Sequence, residues 1–305
     1  MTRFLRSRLL DLVIGVLGVS TAVFFLLRLT GDPVALLVTE TATREEMEGI
    51  REAMGLNAPL WEQYVSFLAR ALRGDFGESI RLAKPAAALV WDTLPATLEL
   101  TTAALGIATL LALPLGMLAA VYRGTAIETA ASVLTLAGQS MPFFWLGILL
   151  ILVFAVELRW LPSFGRGTWW HLVLPAVTLS ASTMAKTARL VRAGMIEVLS
   201  QEYIRTARAK GLGERTVILG HALWNTAIPV VTILALDFGV LLGGAVVTET
   251  IFAWPGTGRL MIQAIQGRDF PVVQAAVFIL AVLFIVVNAA LDLLYVWLDP
   301  RIRHR

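Results

Sequence analysis

Hydrophobic residues in this chain gather into long runs, separated by shorter stretches rich in charge, glycine and proline. Crossing a bilayer takes about 20 apolar residues at 1.5 Å rise each. The first run, residues 9–29, meets that length. Five more follow at about 97–121, 132–156, 172–192, 227–248 and 272–297. The pattern predicts an all-α polytopic membrane protein with six transmembrane helices. Pro114, Pro142 and Pro175 fall inside runs, where they mark kinks or packing positions. Lys186, Arg189 and Arg192 occupy the final turns of the fourth run, as if that helix emerges there into the cytoplasm.

Residues 30–92 differ in kind. Thr43-Arg44-Glu45-Glu46 is a capping-box pattern, and Met47, Ile50 and Met54 follow at one-face spacing. After Asn57-Ala58-Pro59 a second helix is expected, with Leu60, Tyr64, Phe67, Leu68 and Ala71 on its apolar side and Gly74 at its end. Glu40, Glu45, Glu46, Glu48 and Glu52 make the first half acidic. The organisation read from the chain is a tail and first span (1–29), an extracytoplasmic helical insertion (30–92) and a five-helix core (93–305).

Residues 197–229 form the one long polar, basic segment between two spans. Ser200 is placed to cap a short helix over 201–210, Glu202 suits its first turn, and Gly211 is a natural terminator. The spacing sets Tyr203, Ile204 and Ala207 on one side, with Arg205, Arg208 and Lys210 around the rest. A second helical stretch is expected from Glu214 into the hydrophobic run. A short cationic helix held by glycines suits docking on a soluble partner.

Composition agrees with the runs. The chain has 305 residues, 57% hydrophobic and 15% charged, with a mean hydropathy of +0.76. Soluble domains carry roughly a quarter charged residues. The net charge of +3 is small and not massed in one tract, which argues against nucleic-acid binding. Orientation follows from the distribution of cations. Arg3, Arg6 and Arg8 precede the first span, and no small-x-small cleavage site precedes Gly31-Asp32-Pro33, so that span reads as uncleaved with a cytoplasmic N-terminus. Alternation then puts the acidic insertion outside. Arg205, Arg208, Lys210 and Arg215 fall inside, as does the tail with Arg301, Arg303 and Arg305. Trp160, Trp169, Trp170, Trp254 and Trp297 sit near span limits, as an aromatic belt does.

Chemistry-bearing patterns are scarce. The absence of cysteine excludes disulfides, thiolate catalysis and cysteine-ligated metals. His171, His221 and His304 lack ligand spacing. A phosphate-binding loop needs G-x-x-x-x-G-K-[ST], yet Lys84, Lys186 and Lys210 each follow alanine. No G-x-S-x-G or H-E-x-x-H occurs, so no catalytic residue and no cofactor are assigned to this chain. Intramembrane ionisable residues are costly and invite a functional reading. Asp237 lies in the fifth run, and Asn288 and Asp292 lie in the sixth. Asp237 and Asn288 are candidates for lining a polar path, although Asp237 reads equally as a buried acid paired across helices. Gly239 and Gly243 make a small-x-x-x-small pattern for close helix approach.

The chain resembles the permease subunits of bacterial dipeptide/oligopeptide ABC importers, of the B type. The resemblance rests on Thr30-Gly31-Asp32-Pro33, Met54-Gly55-Leu56-Asn57-Ala58-Pro59-Leu60, Leu72-Arg73-Gly74-Asp75-Phe76-Gly77 and Thr93-Leu94-Pro95-Ala96-Thr97. Glu249-Thr250-Ile251-Phe252, Trp254-Pro255-Gly256-Thr257-Gly258 and Leu298-Asp299-Pro300-Arg301 complete it, in order, over nearly the whole length. The polar segment resembles the cytoplasmic EAA loop of that family. Gly211 stands at its central glycine, and Arg205-Thr206-Ala207 stand where the general motif has Glu-Ala-Ala. Trp224 replaces a frequent proline after Leu223.

That resemblance implies an importer in the bacterial cytoplasmic membrane, with both termini of this chain cytoplasmic. The chain pairs with a homologous second permease, two ATPase subunits and an extracytoplasmic substrate-binding protein, embedded in membrane lipid. ATP and Mg belong to the ATPase partners. Glu202, Tyr203, Arg205, Thr206, Ala207, Arg208, Lys210 and Gly211 are the implied ATPase-coupling residues. The cargo class extends from dipeptides and oligopeptides to glutathione, nickel complexes, sugars and opines. The rival reading is a secondary transporter driven by an ion gradient; such proteins usually show an internal repeat of spans, and none is apparent.

Overall fold

The computed structural model describes residues 2–29, 44–53 and 57–298. Several expectations therefore lie outside the described residues: the motif at 30–33, Glu40, Thr43, Met54 and the 299–305 tail. The side chains of Arg3, Arg6, Arg8, Glu46, Ile50, Asp292 and Trp297 lie outside them too.

The described residues are helical throughout their regular elements, with a single bridge pair between Glu78 and Pro85. In order these are α1 (Thr2–Leu29), α2 (Arg44–Ala53), α3 (Leu60–Ala71), α4 (Ala86–Val121), α5 (Ala126–Ser140) and α6 (Phe143–Leu150), which runs into a π-helical turn, Ile151–Glu157. Then come α7 (Trp169–Leu199), α8 (Glu202–Ala209), α9 (Glu214–Thr216) and a second π turn, Val217–Leu223. Last are α10 (Trp224–Ile251), α11 (Thr257–Gln266) and α12 (Phe270–Leu298). Three stretches, Ala86–Val121, Pro229–Ile251 and Phe270–Ala290, are long and apolar enough to cross a membrane. The pair Ala126–Ser140 and Phe143–Glu157 makes a fourth, bent by 106°.

That bend corrects the third predicted span, which the hydropathy run drew as continuous. Proline disfavours the helical region for the residue before it. Met141, ahead of Pro142, accordingly sits at φ −82° and ψ 128°, and the helix stops. The helix of the fourth segment, α7, runs on past Arg192 to Leu199, and two of its cations pair with neighbouring helices, Lys186 with Asp237 of α10 and Arg192 with Glu128 of α5.

The chain divides into two compact units. One comprises Met1–Pro95 with Gly256–Ala290. Phe24 of α1 is buried and meets Tyr64 of α3 edge-on at 5.3 Å, while Tyr64 shares its hydroxyl with Ser20 and Thr21 at 3.1 and 2.8 Å. Phe67 and Ala71 complete the buried face of α3; Leu60, placed on that face from the sequence, is exposed. Asp269 ties down the 79–81 loop, accepting the Ser79 hydroxyl at 2.5 Å and the amides of Ile80 and Arg81 at 3.2 and 3.4 Å.

The other unit comprises Ala96–Pro255 with Leu291–Arg305. On α4, Ala96, Leu100, Ala104, Ala108 and Ala112 are buried at every fourth position. Small residues in such a stripe let helix backbones approach, the main packing device where lipid removes the hydrophobic drive. The closest approach lies at Gly116, where a Cβ would stand 2.5 Å from the Ala188 carbonyl oxygen of α7. Among the described residues no helix packs against Gly243, where a Cβ would meet open space, while one at Gly244 would stand 3.5 Å from Leu179 Cδ1. Trp254 is corrected too. It is no belt residue but fully buried, donating its indole N–H to the Ala96 carbonyl at 2.8 Å.

Candidate functional site

The polar segment folds as a short helix pinned at two points. α8 places Ile204 and Ala207 one turn apart, and both are buried with Val217, beside Val198 and Leu199. Three buried apolar side chains thus fix the helix to its own chain, and its other faces stay open. Tyr203, expected on the buried side, is 44% exposed. At 100° per residue it lies a quarter-turn from Ile204, enough to carry it out of so small a cluster.

Ser200 does not cap α8. It closes the end of α7, its hydroxyl donating to the Glu197 carbonyl at 2.6 Å, and Gln201 takes the N-cap position without a side-chain bond. The other end follows expectation. Gly211 has φ +80°, the Leu212 N–H donates to the Ala207 carbonyl and the Gly211 N–H to the Arg208 carbonyl. That pair of bonds is a Schellman motif, and its left-handed residue favours glycine.

The open face is ordered by charge. Arg205 pairs with Glu202 at 2.8 Å, one turn away, and the Thr206 hydroxyl donates to the Glu202 carbonyl at 3.1 Å. Arg208 reaches over the turn to Glu214 of α9, Nε to Oε1 at 2.6 Å and Nη2 to Oε2 at 3.3 Å. Hydrogen bonding from Arg208 holds the Glu214 carboxyl below its ordinary range, and Glu214 raises Arg208 in return. Glu202, Tyr203, Arg205, Thr206, Arg208, Lys210 and Gly211 are all exposed, so the structure brings these together on one accessible surface. Ala207 alone of the set faces inward.

The path candidates stand elsewhere. Asp237 on α10 is buried, with Oδ1 at 3.8 Å from Lys186 Nζ of α7 and Oδ2 without a hydrogen bond. Lys186 was not foreseen as its partner. Asn288 belongs to the other unit and donates to the Phe284 carbonyl of its own helix at 2.9 Å. A second buried acid escaped the sequence reading. Glu249 is fully buried and accepts the Thr97 hydroxyl at 2.6 Å, and the available signal was its place in Glu249-Thr250-Ile251-Phe252. Nearby, Arg166 pairs with Glu99 at 2.6 Å and lies over the Trp254 ring at 5.9 Å. Among the described residues no three His, Asp or Glu side chains converge as a metal site.

Comparison with known proteins adds the following. Residues 112–304 match the family described as binding-protein-dependent transport system inner membrane component, and residues 1–101 match its N-terminal counterpart. The glutathione transport system permease protein GsiC of Escherichia coli strain K12 is 40% identical over 306 residues, covering all of both chains. The protein of that name from Shigella dysenteriae serotype 1 matches equally. Among solved structures, the inward-facing MetNI methionine ABC transporter aligns with a TM-score of 0.59 at 22% identity, over 69% of this chain and 96% of that one. An amino acid ABC transporter solved with histidines aligns with a TM-score of 0.54 at 18% identity, over 68% and 93%. At such identities these two show a shared fold.

Proposed function

Because the chain belongs to the family of binding-protein-dependent transport system inner membrane components, and so is the permease component of an ABC importer in the inner membrane, we propose that α8 is the element through which partner ATPase subunits drive it. One observation carries this reading. α8 is fastened by Ile204 and Ala207, closed at Gly211, and leaves its charged face open. It continues through α9 and a π turn into α10, the helix that holds Asp237. A push on α8 therefore reaches the membrane core along a continuous backbone.

In this reading the chain crosses the membrane six times, both termini are cytoplasmic, and residues 30–92 lie outside, near the path entrance. A homologous second permease, two ATPase subunits and an extracytoplasmic binding protein complete the importer. ATP and Mg act in the ATPase partners. ATP and loaded binding protein bias a two-state switch between inward- and outward-facing arrangements through differential contacts. Asp237 and Asn288 line the path. The cargo is a short peptide, with glutathione the first to test because GsiC is named for its transport. Cells carrying the whole importer should take up labelled glutathione or dipeptides. The cargo assignment fails if neither enters faster than in cells lacking this chain.

A further inference from the structure

The turn at 122–125 joins α4 to α5, and beside it the two helices and α7 enclose a cleft of about 240 Å³. Its floor is apolar, with Leu115 and Ala119 from α4 and Ala131 and Leu136 from α5. Its remaining wall carries two guanidinium groups, Arg189 and Arg192 of α7. Leu136, at the α5 side of the cleft, is 59% exposed and leaves the apolar floor open to the outside.

The charges around this cleft do not balance. Arg192 pairs with Glu128, a carboxylate that also accepts the Gly124 amide at 2.6 Å. Arg189 donates to Gln139, which is neutral. Arg123 adds a further positive charge close to Glu128. Among these described groups, three guanidinium charges, two of them lining the cleft, stand against the one carboxylate of Glu128. Arg192 Nε is also buried without a hydrogen-bond acceptor. A buried donor left unpaired is costly, and an anionic oxygen in the cleft would satisfy it.

We propose that this cleft binds an anionic phospholipid, its phosphate held by Arg189 and Arg192 and an acyl chain lying on the floor at Leu115, Ala119 and Leu136. Apolar floor, cationic rim and unpaired donor are the three features such an amphiphile satisfies together. Basic pockets between membrane helices on the cytoplasmic side take such headgroups, and that leaflet carries the anionic lipid. The placement of the rim at the cytoplasmic face rests on the orientation proposed above; the chemistry of the cleft does not.

The test is retention of phosphatidylglycerol against phosphatidylcholine by the purified full-length chain, measured by native mass spectrometry. Wild type is expected to retain phosphatidylglycerol preferentially. Arg189→Gln should lower that retention about fivefold, the worth of one arginine near an anionic surface. Leu136→Trp should lower it too, by filling the cleft without changing charge. Glu128→Gln should raise it, by removing the competing carboxylate, whereas a merely structural role for these residues moves all three variants the same way. Equal retention of the two lipids, indifference to Arg189→Gln, or displacement of the lipid by millimolar inorganic phosphate would overturn the proposal. Protection of Leu136 by the second permease subunit in the assembled importer, with no lipid bound, would overturn it as well.

Discussion

Arg208 and Glu214 are joined by two hydrogen bonds, at 2.6 and 3.3 Å, across the turn that carries Gly211. The pair closes the gap between α8 and α9, so the angle at which α8 leaves the chain depends on it. Glu214 is held below its ordinary value of 4.5. A carboxyl with a depressed folded value contributes stability above the unfolded value and loses it as pH falls through the folded one. The chain lacks cysteine, so a single Thr206→Cys position accepts a unique spin label. Label mobility should be flat from neutral pH down to about 4.5 and rise below it. Glu214→Gln should abolish that step; a step that survives Glu214→Gln would assign it to another group.

Gly211 stands in open space, with φ +80°, and a Cβ added there would find no neighbouring atom within 4 Å. Within the chain itself, any effect of substitution there is therefore conformational and not steric. Gly211→Val should cost about 1–2 kcal/mol of local stability, the penalty of a left-handed residue, and should separate ATP hydrolysis from uptake at normal membrane levels. Gly211→Asn should be milder, since asparagine tolerates that region. Equal behaviour of the two variants in coupled hydrolysis and uptake assays would contradict this account.

Gly116 illustrates the opposite constraint. A Cβ there would meet the Ala188 carbonyl oxygen at 2.5 Å and Val191 Cβ at 2.6 Å. Gly116→Val should force α4 and α7 apart and cost about 1–3 kcal/mol, the range for overpacking a close contact. The measurement is thermal unfolding in detergent, and an unchanged midpoint would show that the helices separate freely.

Asp237 and Lys186 meet across α10 and α7 at 3.8 Å. If both serve one polar element of the path, their substitutions should not add. Asp237→Asn and Lys186→Gln should each reduce uptake several-fold at unchanged membrane levels, and the double variant should be no worse than the weaker single. Strictly multiplicative losses would mean that the two residues act separately.

Much of the fold was legible because spans and caps are written locally. Each apolar run became helical, and Gly211 announced its turn by residue type alone. What escaped depends on partners remote in sequence. Trp254 reads as an interfacial tryptophan until Ala96, far along the chain, supplies an acceptor for its indole N–H. Glu249 stands in the sequence only as part of a motif just past the fifth apolar run, and its burial depends on Thr97, far along the chain. Within the site, the amphipathic spacing found Ile204 and Ala207 but overcounted Tyr203, since the cluster around Val217 is only two helical residues wide. Hydropathy averaging drew the stretch across Met141-Pro142 as one run, and only Pro142 signalled the kink that the structure shows as a 106° bend.

Trp254→Phe provides a stability check free of the transport assay. It keeps most of the ring volume and removes the indole bond to the Ala96 carbonyl, which keeps its own bond within α4, so the cost should be about 0.5–1.5 kcal/mol. Calorimetry in detergent reads it directly, and no loss would mean that the indole bond adds nothing to stability.

The role of α8 is tested most directly by cross-linking in the assembled importer. A single cysteine at Arg205, on the open face, should form a short bifunctional cross-link to an ATPase subunit, while one at Val133 should not. A cysteine at position 205 that never cross-links to the ATPase, in an importer shown to transport, would contradict the coupling role.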